Sequence, residues 1–177
     1  MNCRNRFDAN GRKASCRRCG FSLVEALVAT TVVGIGLTAI LASVASGTRT
    51  NAAAKDITYG VFLAQGVREW TLRLPFSDTD PGDQGHPPGP DGTDPQTFVD
   101  DLDDLMNVTY CPPRDGQGNP IADMTDWSET FTLTWRDPDA LTTTVSPGAS
   151  DVIHVQLDIL HQGRPVLDTG WFVTRRE

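Results

Sequence analysis

The feature that most constrains this chain is a long apolar run near its amino terminus. Residues 26–47 include no ionisable side chain, and Glu25 is the only charged residue of 21–47. As an α-helix, these 22 residues would extend about 33 Å, which is enough to cross a hydrocarbon core of roughly 30 Å. The many β-branched residues would weaken a helix in water, but in lipid the backbone must satisfy its own hydrogen bonds. The run therefore predicts a membrane-spanning helix at 21–47.

The charges on the two sides of this run differ in sign. Residues 1–20 hold six of the 15 Lys and Arg residues and one of the 23 Asp and Glu residues, which leaves nine basic and 22 acidic residues in the rest of the chain. Basic residues that flank a span tend to stay in the cytoplasm, so we expect the acidic remainder to lie outside it. Because an acidic domain repels phosphates, we do not expect it to bind nucleic acid.

The first 20 residues are polar, basic and without periodicity, which is typical of a processed leader. Three of the four cysteines, Cys3, Cys16 and Cys19, lie in this leader, and Cys111 is alone beyond the apolar run. Nothing nearby completes a zinc site with the CxxC pair, so we interpret the leader cysteines as incidental.

The helix is predicted to continue through 48–74 as an amphipathic segment. Its apolar residues are spaced three or four apart, which places them on one helical face. Pro75 ends the pattern, because proline cannot continue a helix. The residues of the predicted apolar face are Ile57, Val61, Ala64, Val67, Trp70 and Leu74.

The region 75–127 is predicted to be acidic and rich in loops. Its first part, 75–96, is dominated by Pro, Gly and Asp, which favour turns over packed structure. Residues 97–106 are compatible with a short helix or a turn, and 111–126 with a further loop.

Residues 128–177 are predicted to form an antiparallel sheet. Apolar and polar residues alternate in 128–136 and Val152–His161. A third strand is predicted at 166–174, which includes Trp171 and Val173, and residues 161–164 are expected to join the last two strands as a hairpin. A sheet with one apolar face needs a cover, which the amphipathic segment 48–74 can supply. We therefore predict an α+β fold with a long amino-terminal helix packed on a small antiparallel sheet.

One short motif carries a family resemblance. A basic leader is followed by Gly20-Phe21-Ser22-Leu23-Val24-Glu25 and then by the apolar helix. This arrangement resembles the class III signal of the type IV pilin superfamily over about residues 12–50.

The resemblance implies a specific processing and assembly chemistry. A membrane-embedded prepilin peptidase would cut between Gly20 and Phe21 and would N-methylate the new Phe21 amine. The anchor would be retained, because the cut precedes the apolar run. Glu25 would pair with the amino terminus of a neighbouring pilin subunit during assembly.

A weaker likeness concerns the kind of subunit. Segment 70–78, the run 100–104 and the carboxyl-terminal strands resemble minor pilins and pseudopilins of the type II secretion and mannose-sensitive-haemagglutinin kinds. This would make the chain a low-abundance tip or priming subunit. The disulfide loop that is frequent in major pilins is not expected, since Cys111 is alone beyond the helix.

Acidic residues cluster in two predicted loops. Calcium prefers several carboxylate oxygens on a flexible loop, and the resemblance adds that some pseudopilins bind it. The EF-hand pattern is missing, so a solvated acidic surface is the favoured interpretation, and no other cofactor is expected. The possible calcium ligands are Asp78, Asp80, Asp83, Asp100, Asp101, Asp103 and Asp104.

Motifs for catalysis are weak, and we do not expect an enzyme. The sequence has no GxSxG elbow, no HExxH pair and no glycine-rich phosphate loop. His86, His154 and His161 fall in a loop, on a polar strand face and at a turn, respectively. The four tryptophans are expected to fill the core.

Two functions from different classes are compatible with these patterns. The first is a structural, single-pass inner-membrane subunit of a type IV pilus or of a type II secretion pseudopilus. The second is a secreted soluble binding domain, with a conventional signal peptide cleaved after Ala45 in the small-x-small stretch 43–45. Glu25 within the early apolar region, and the length of that region, argue against the second.

Overall fold

The computed structural model describes residues 21–77, 87–90 and 94–175. Contacts divide the chain into two compact units, Met1–Arg49 and Thr50–Glu177; we call the second the head. The architecture is α+β, as predicted, with one long amino-terminal helix and a five-stranded antiparallel sheet. In chain order the elements are α1 (Leu23–Thr71), a 3₁₀ helix (Asp103–Leu105), β1 (Thr109–Tyr110), β2 (Trp127–Asp137), β3 (Ala140–Thr144), β4 (Val152–His161) and β5 (Arg164–Thr174).

Within the head, α1 buries a face that differs in part from the predicted one. Leu63 is buried, whereas Ile57 and Val61, predicted on that face, are 51% and 39% exposed. The reason is Gly60, which is itself buried in the middle of the face. A Cβ on Gly60 would lie 3.2 Å from Val166 Cγ1, so the missing side chain lets the helix backbone approach β5 closely.

The sheet has the strand order β1-β2-β4-β5, with β3 also paired to β2, and every pair is antiparallel. The predicted β4–β5 hairpin is confirmed, and its turn residues Gln162 and Gly163 both have positive φ, of 52° and 72°. Two such residues form the turn whose twist suits a two-residue hairpin. Neither β1, which has two residues, nor the fully exposed β3 was predicted, because neither has an alternating apolar pattern.

The core lies between the sheet and the head's part of α1. The alternating apolar residues of β2 and β4 are buried, as predicted, and so are all four tryptophans. The predicted loop region also supplies core residues, which its composition did not indicate. Those residues are Leu102, Leu105, Val108 and Tyr110.

An aromatic cluster joins this loop region to the helix and the sheet. The rings of Trp70, Tyr110 and Phe131 have centroids 5.8–6.2 Å apart. At the end of α1, Trp171 of β5 donates its indole N–H to the buried hydroxyl of Thr71 at 3.2 Å. These contacts fix the end of the helix against the sheet.

A like-charged pair on the sheet surface gives a testable stability effect. Asp158 of β4 and Asp168 of β5 are directly opposite each other. Burial first, and then the charge of Asp168, raise the pKa of Asp158. Because the folded-state pKa of Asp158 is raised, the stability that it contributes to the fold is fully present below its unfolded pKa. That contribution is lost as pH rises through the folded pKa.

Replacing Asp168 with asparagine should therefore raise the free energy of unfolding at pH 7. We expect a gain of about 0.2–1 kcal/mol, the range for cross-strand pairs, because the repulsion disappears. Urea unfolding followed by tryptophan fluorescence measures it, with Asp139→Asn in an exposed turn as the control. An equal gain in both variants would attribute the effect to net charge instead of to this pair.

Candidate processing and assembly site

The first described residue is Phe21, on the carboxyl side of the predicted cleavage point. It precedes α1, and its side chain is 75% exposed. Gly20 and the rest of the leader lie outside the described residues, so the processing site stays a prediction. Ser22 accepts the first helical hydrogen bond, from the amide of Ala26, at 3.1 Å.

Glu25 lies in the first turn of α1 and is exposed. A carboxylate is favourable there, because the first turn of a helix has unpaired N–H groups and a positive dipole end. Within the described part of the chain, no hydrogen bond or ion pair engages this carboxylate. It is therefore accessible to a partner.

The threonines of the apolar half of α1 satisfy their own hydroxyl groups. Thr30 donates to the carbonyl of Ala26 at 3.0 Å, and Thr31 donates to that of Leu27 at 2.7 Å. Thr38 donates in the same way to Ile35 at 2.8 Å. Because these polar groups are paired within the helix, the segment presents an apolar surface that lipid or another helix can contact.

This half of α1 is exposed on all sides within its own unit. Because of this half, α1 is the one helix among the described residues that is long and apolar enough to cross a membrane. A signal sequence would meet the same criterion of length and composition. A Cβ added to Gly34 or Gly36 would meet nothing within 4 Å. Small residues on such a surface let a second helix approach closely.

The acidic run 100–104 has a structural role. Asp101 accepts hydrogen bonds from the amides of Asp103 and Asp104, at 2.9 and 3.2 Å. Asp104 accepts the amide of Asp100 at 3.1 Å, and Asp103 accepts that of Gly89 at 2.9 Å. These carboxylates thus organise the 3₁₀ helix and the chain around it.

Two of these carboxylates, those of Asp101 and Asp104, are buried, in contrast to the predicted solvated surface. Burial first, and then a hydrogen bond with Asp103, raise the pKa of Asp101 to about 8. Among the described residues, no group of three or more His, Cys, Asp or Glu is arranged to hold a metal ion. The other predicted ligands, Asp78, Asp80 and Asp83, lie outside those residues, so calcium binding stays a prediction.

A buried carboxyl group on β2 was missed by the sequence interpretation. Glu129 has no exposed surface, and it accepts the amide of Arg114 at 2.6 Å. Burial raises its pKa to about 8, against the opposing effects of that hydrogen bond and of the Arg114 charge. The alternation in β2 did indicate burial, since position 129 lies on the same strand face as Phe131. The charge of a glutamate, however, favoured a position on the surface.

Arg114 links the loop that contains Gln96 to the loop that contains Gly118. Its guanidinium donates to the carbonyls of Gln96 and Gly118, at 2.6 and 3.0 Å, and it lies 4.4 Å from the ring centroid of Tyr110. A small cavity of about 170 Å³ next to these groups is lined by both loops.

The remaining chemically reactive side chains serve contacts in the fold. His161 stacks on Trp127 and lies 3.3 Å from Asp56 of α1, and His154 contacts Phe172. Cys111 is an exposed free thiol. His86 and the leader cysteines lie outside the described residues.

The family comparison agrees with the amino-terminal motif. Residues 15–41 match the model described as the prokaryotic N-terminal methylation motif. No curated protein and no solved structure matches the chain. A prepilin-type motif followed by a long apolar helix is typical of a type IV pilin-like protein, and this motif belongs to a structural family, not to an enzyme class.

Proposed function

We propose that this chain is a minor structural subunit of a type IV pilus or of a type II secretion pseudopilus. It is made as a precursor, which prepilin peptidase cuts between Gly20 and Phe21 and methylates at the Phe21 amine. The observation that carries the proposal is the methylation motif at 15–41, which overlaps an apolar stretch, 21–47, whose one carboxylate is Glu25.

The position of Glu25 supports a role in assembly. A lone carboxylate within an apolar span costs free energy on insertion, so such a residue is a functional candidate. A cationic amine from a neighbouring subunit would offset that cost, because opposite charges attract strongly in a medium of low dielectric constant. The other partners are further pilin-type helices, which would pack on the exposed apolar surface of α1.

The distribution of charge supports the orientation that we propose. A strongly basic leader precedes the span and an acidic head follows it. The amino terminus would stay in the cytoplasm, and the head would lie outside it, with α1 anchored in the inner membrane.

The mature amino terminus tests the proposal. We expect mass spectrometry of the native membrane-extracted protein to find a chain that begins with N-methylated Phe21. A Gly20→Ala precursor tests cleavage with a slightly larger small residue at position 20. In a cell without prepilin peptidase, the chain should retain residues 1–20. Processing of the wild-type chain in such a cell would contradict the proposal.

The same measurement distinguishes the secretory alternative. A soluble protein that begins at Ser46 would have lost the apolar run to a conventional signal peptidase. That result would establish a secreted binding domain and would leave Glu25 without a role in the mature protein.

A further inference from the structure

Glu129 lies on the core face of β2 in apolar surroundings. Its register partners are Tyr110 on β1 and Ile159 on β4, and the next residue on the same face is Phe131. One carboxyl oxygen accepts the amide of Arg114 at 2.6 Å. The other oxygen is buried and has no hydrogen-bond partner among the described residues.

The groups around Glu129 offer little support for a negative charge. The Arg114 guanidinium is the one charged group of the described chain whose field lowers the pKa of Glu129, and it is committed to carbonyls of two loops. Tyr110 is a neutral phenol: burial, opposed by the Arg114 charge and assisted by the charge of Asp104, raises its pKa to about 12. From β4 the facing residue is the apolar Ile159, and α1 reaches this cluster through the Trp70 ring.

One part of the cover over this carboxyl is the loop 111–120, which supplies its one hydrogen bond among the described residues. The amide of Arg114 binds Glu129, and the carbonyl of Gly118 binds the Arg114 side chain. Gly116 packs against the backbone of Gly66 on α1. By contrast, β4 is paired with β2 along nearly its whole length, so the loop should open at a lower free-energy cost than β4.

We propose that the loop 111–120 is a pH-dependent cover of the head, closed while Glu129 is protonated and opened by its ionisation. A buried carboxylate with one unpaired oxygen is poorly stabilised. When the loop opens, it loses the hydrogen bond from the Arg114 amide but admits water to both carboxyl oxygens. Opening also uncovers the edge of Trp70, over which Gly118 lies.

The direction of the pH dependence follows from the pKa of Glu129. The closed state has a raised pKa of about 8, compared with 4.5 for the group in its ordinary state. The closed loop is therefore most stable below about pH 4.5, and its stability is lost as pH rises towards 8. Because one proton is released on opening, the opening equilibrium constant should rise about tenfold per pH unit in this window and level off above it.

Hydrogen exchange read by mass spectrometry tests this device in the full chain held in detergent. Opening constants for peptides that cover 111–121 are obtained between pH 5 and 9, after division by the intrinsic exchange rate. The wild-type loop should open about tenfold more per pH unit up to about pH 8. In Glu129→Gln, whose amide keeps the acceptor for Arg114 and has no charge, the opening constant should not depend on pH.

Two comparisons separate this loop motion from other titrations. Glu69→Gln removes an exposed carboxylate of α1 and should keep the wild-type pH profile. Asp101→Asn removes a second buried carboxyl with a raised pKa, and the loop should again keep its profile. Exchange in β4 reports opening of the whole head.

Three results would overturn the proposal: a pH-independent wild-type loop, a pH-dependent loop in Glu129→Gln, or a parallel loss of protection in β4. If Glu129→Gln does not fold, Glu129→Met removes the charge at similar length. The methionine variant should also show a flat profile, with lower overall protection because the Arg114 amide loses its acceptor.

Discussion

Replacing Glu25 with alanine should leave membrane insertion intact and lower incorporation into filaments by at least about tenfold. Insertion becomes easier, because the span loses its only charge. Incorporation falls, because the amine of the neighbouring subunit would be left unpaired in a medium of low dielectric constant, and each 1.4 kcal/mol that is lost is a factor of about ten. The ratio of sheared-filament protein to membrane-bound protein measures the effect.

The control for Glu25 is a carboxylate on the same helix in a different environment. Glu69 is exposed in the head, and Glu69→Ala should assemble at the wild-type level. Glu25→Gln keeps the shape without the charge and should fail as Glu25→Ala does. Normal assembly of either Glu25 variant would show that pairing with the amine is not required.

Replacing Gly118 with alanine should be among the most damaging single changes in the head. Gly118 has φ of +83°, and a Cβ there would lie 2.8 Å from Trp70 Cε2. The left-handed backbone costs an L-residue about 1–2 kcal/mol. Overpacking adds about 1–3 kcal/mol, so we expect the free energy of unfolding to fall by about 2–5 kcal/mol.

Gly163 provides a matched control for this clash. It also has a positive φ, of +72°, but a Cβ on it would meet nothing within 4 Å. Gly163→Ala should therefore lose only the backbone part, about 1–2 kcal/mol. Urea unfolding of the detergent-held chain measures both variants, and tryptophan fluorescence reports the head because all four tryptophans lie there. Equal losses would contradict the close contact of Gly118 with Trp70.

The strands illustrate how far periodicity alone predicts the head. The alternation in β2 and β4 depends only on the two-residue repeat of a strand, so these strands could be located from the sequence. The strand β5 was located from its Trp171 and Val173 and from the hairpin turn before it. The short β1 and the exposed β3 have no such pattern, and they pair because β2 presents free backbone groups beside them. Local sequence had no signal for that neighbour.

The face of α1 shows a similar limit. Periodicity identified an amphipathic segment, but spacing fits both Ile57 and Leu63 on the same broad stripe. The close approach at Gly60 decides which of them is buried, and that contact depends on the position of Val166 in β5. The rotation of α1 about its own axis is therefore set by its packing against β5.

By itself, the sequence predicted the membrane anchor and the processing and assembly chemistry that we propose for it. Four features depend only on consecutive residues and on no other segment of the chain. They are the length of the apolar run, the absence of ionisable side chains in 26–47, the basic leader and the position of Glu25. The tertiary structure alone decided the state of the acidic residues in the head. Asp101 and Glu129 are like any other carboxylates in the sequence, but burial in the folded head is the largest cause that raises the pKa of each. Burial is set by what packs on a residue, and in this head part of that packing comes from loops whose composition is typical of a surface.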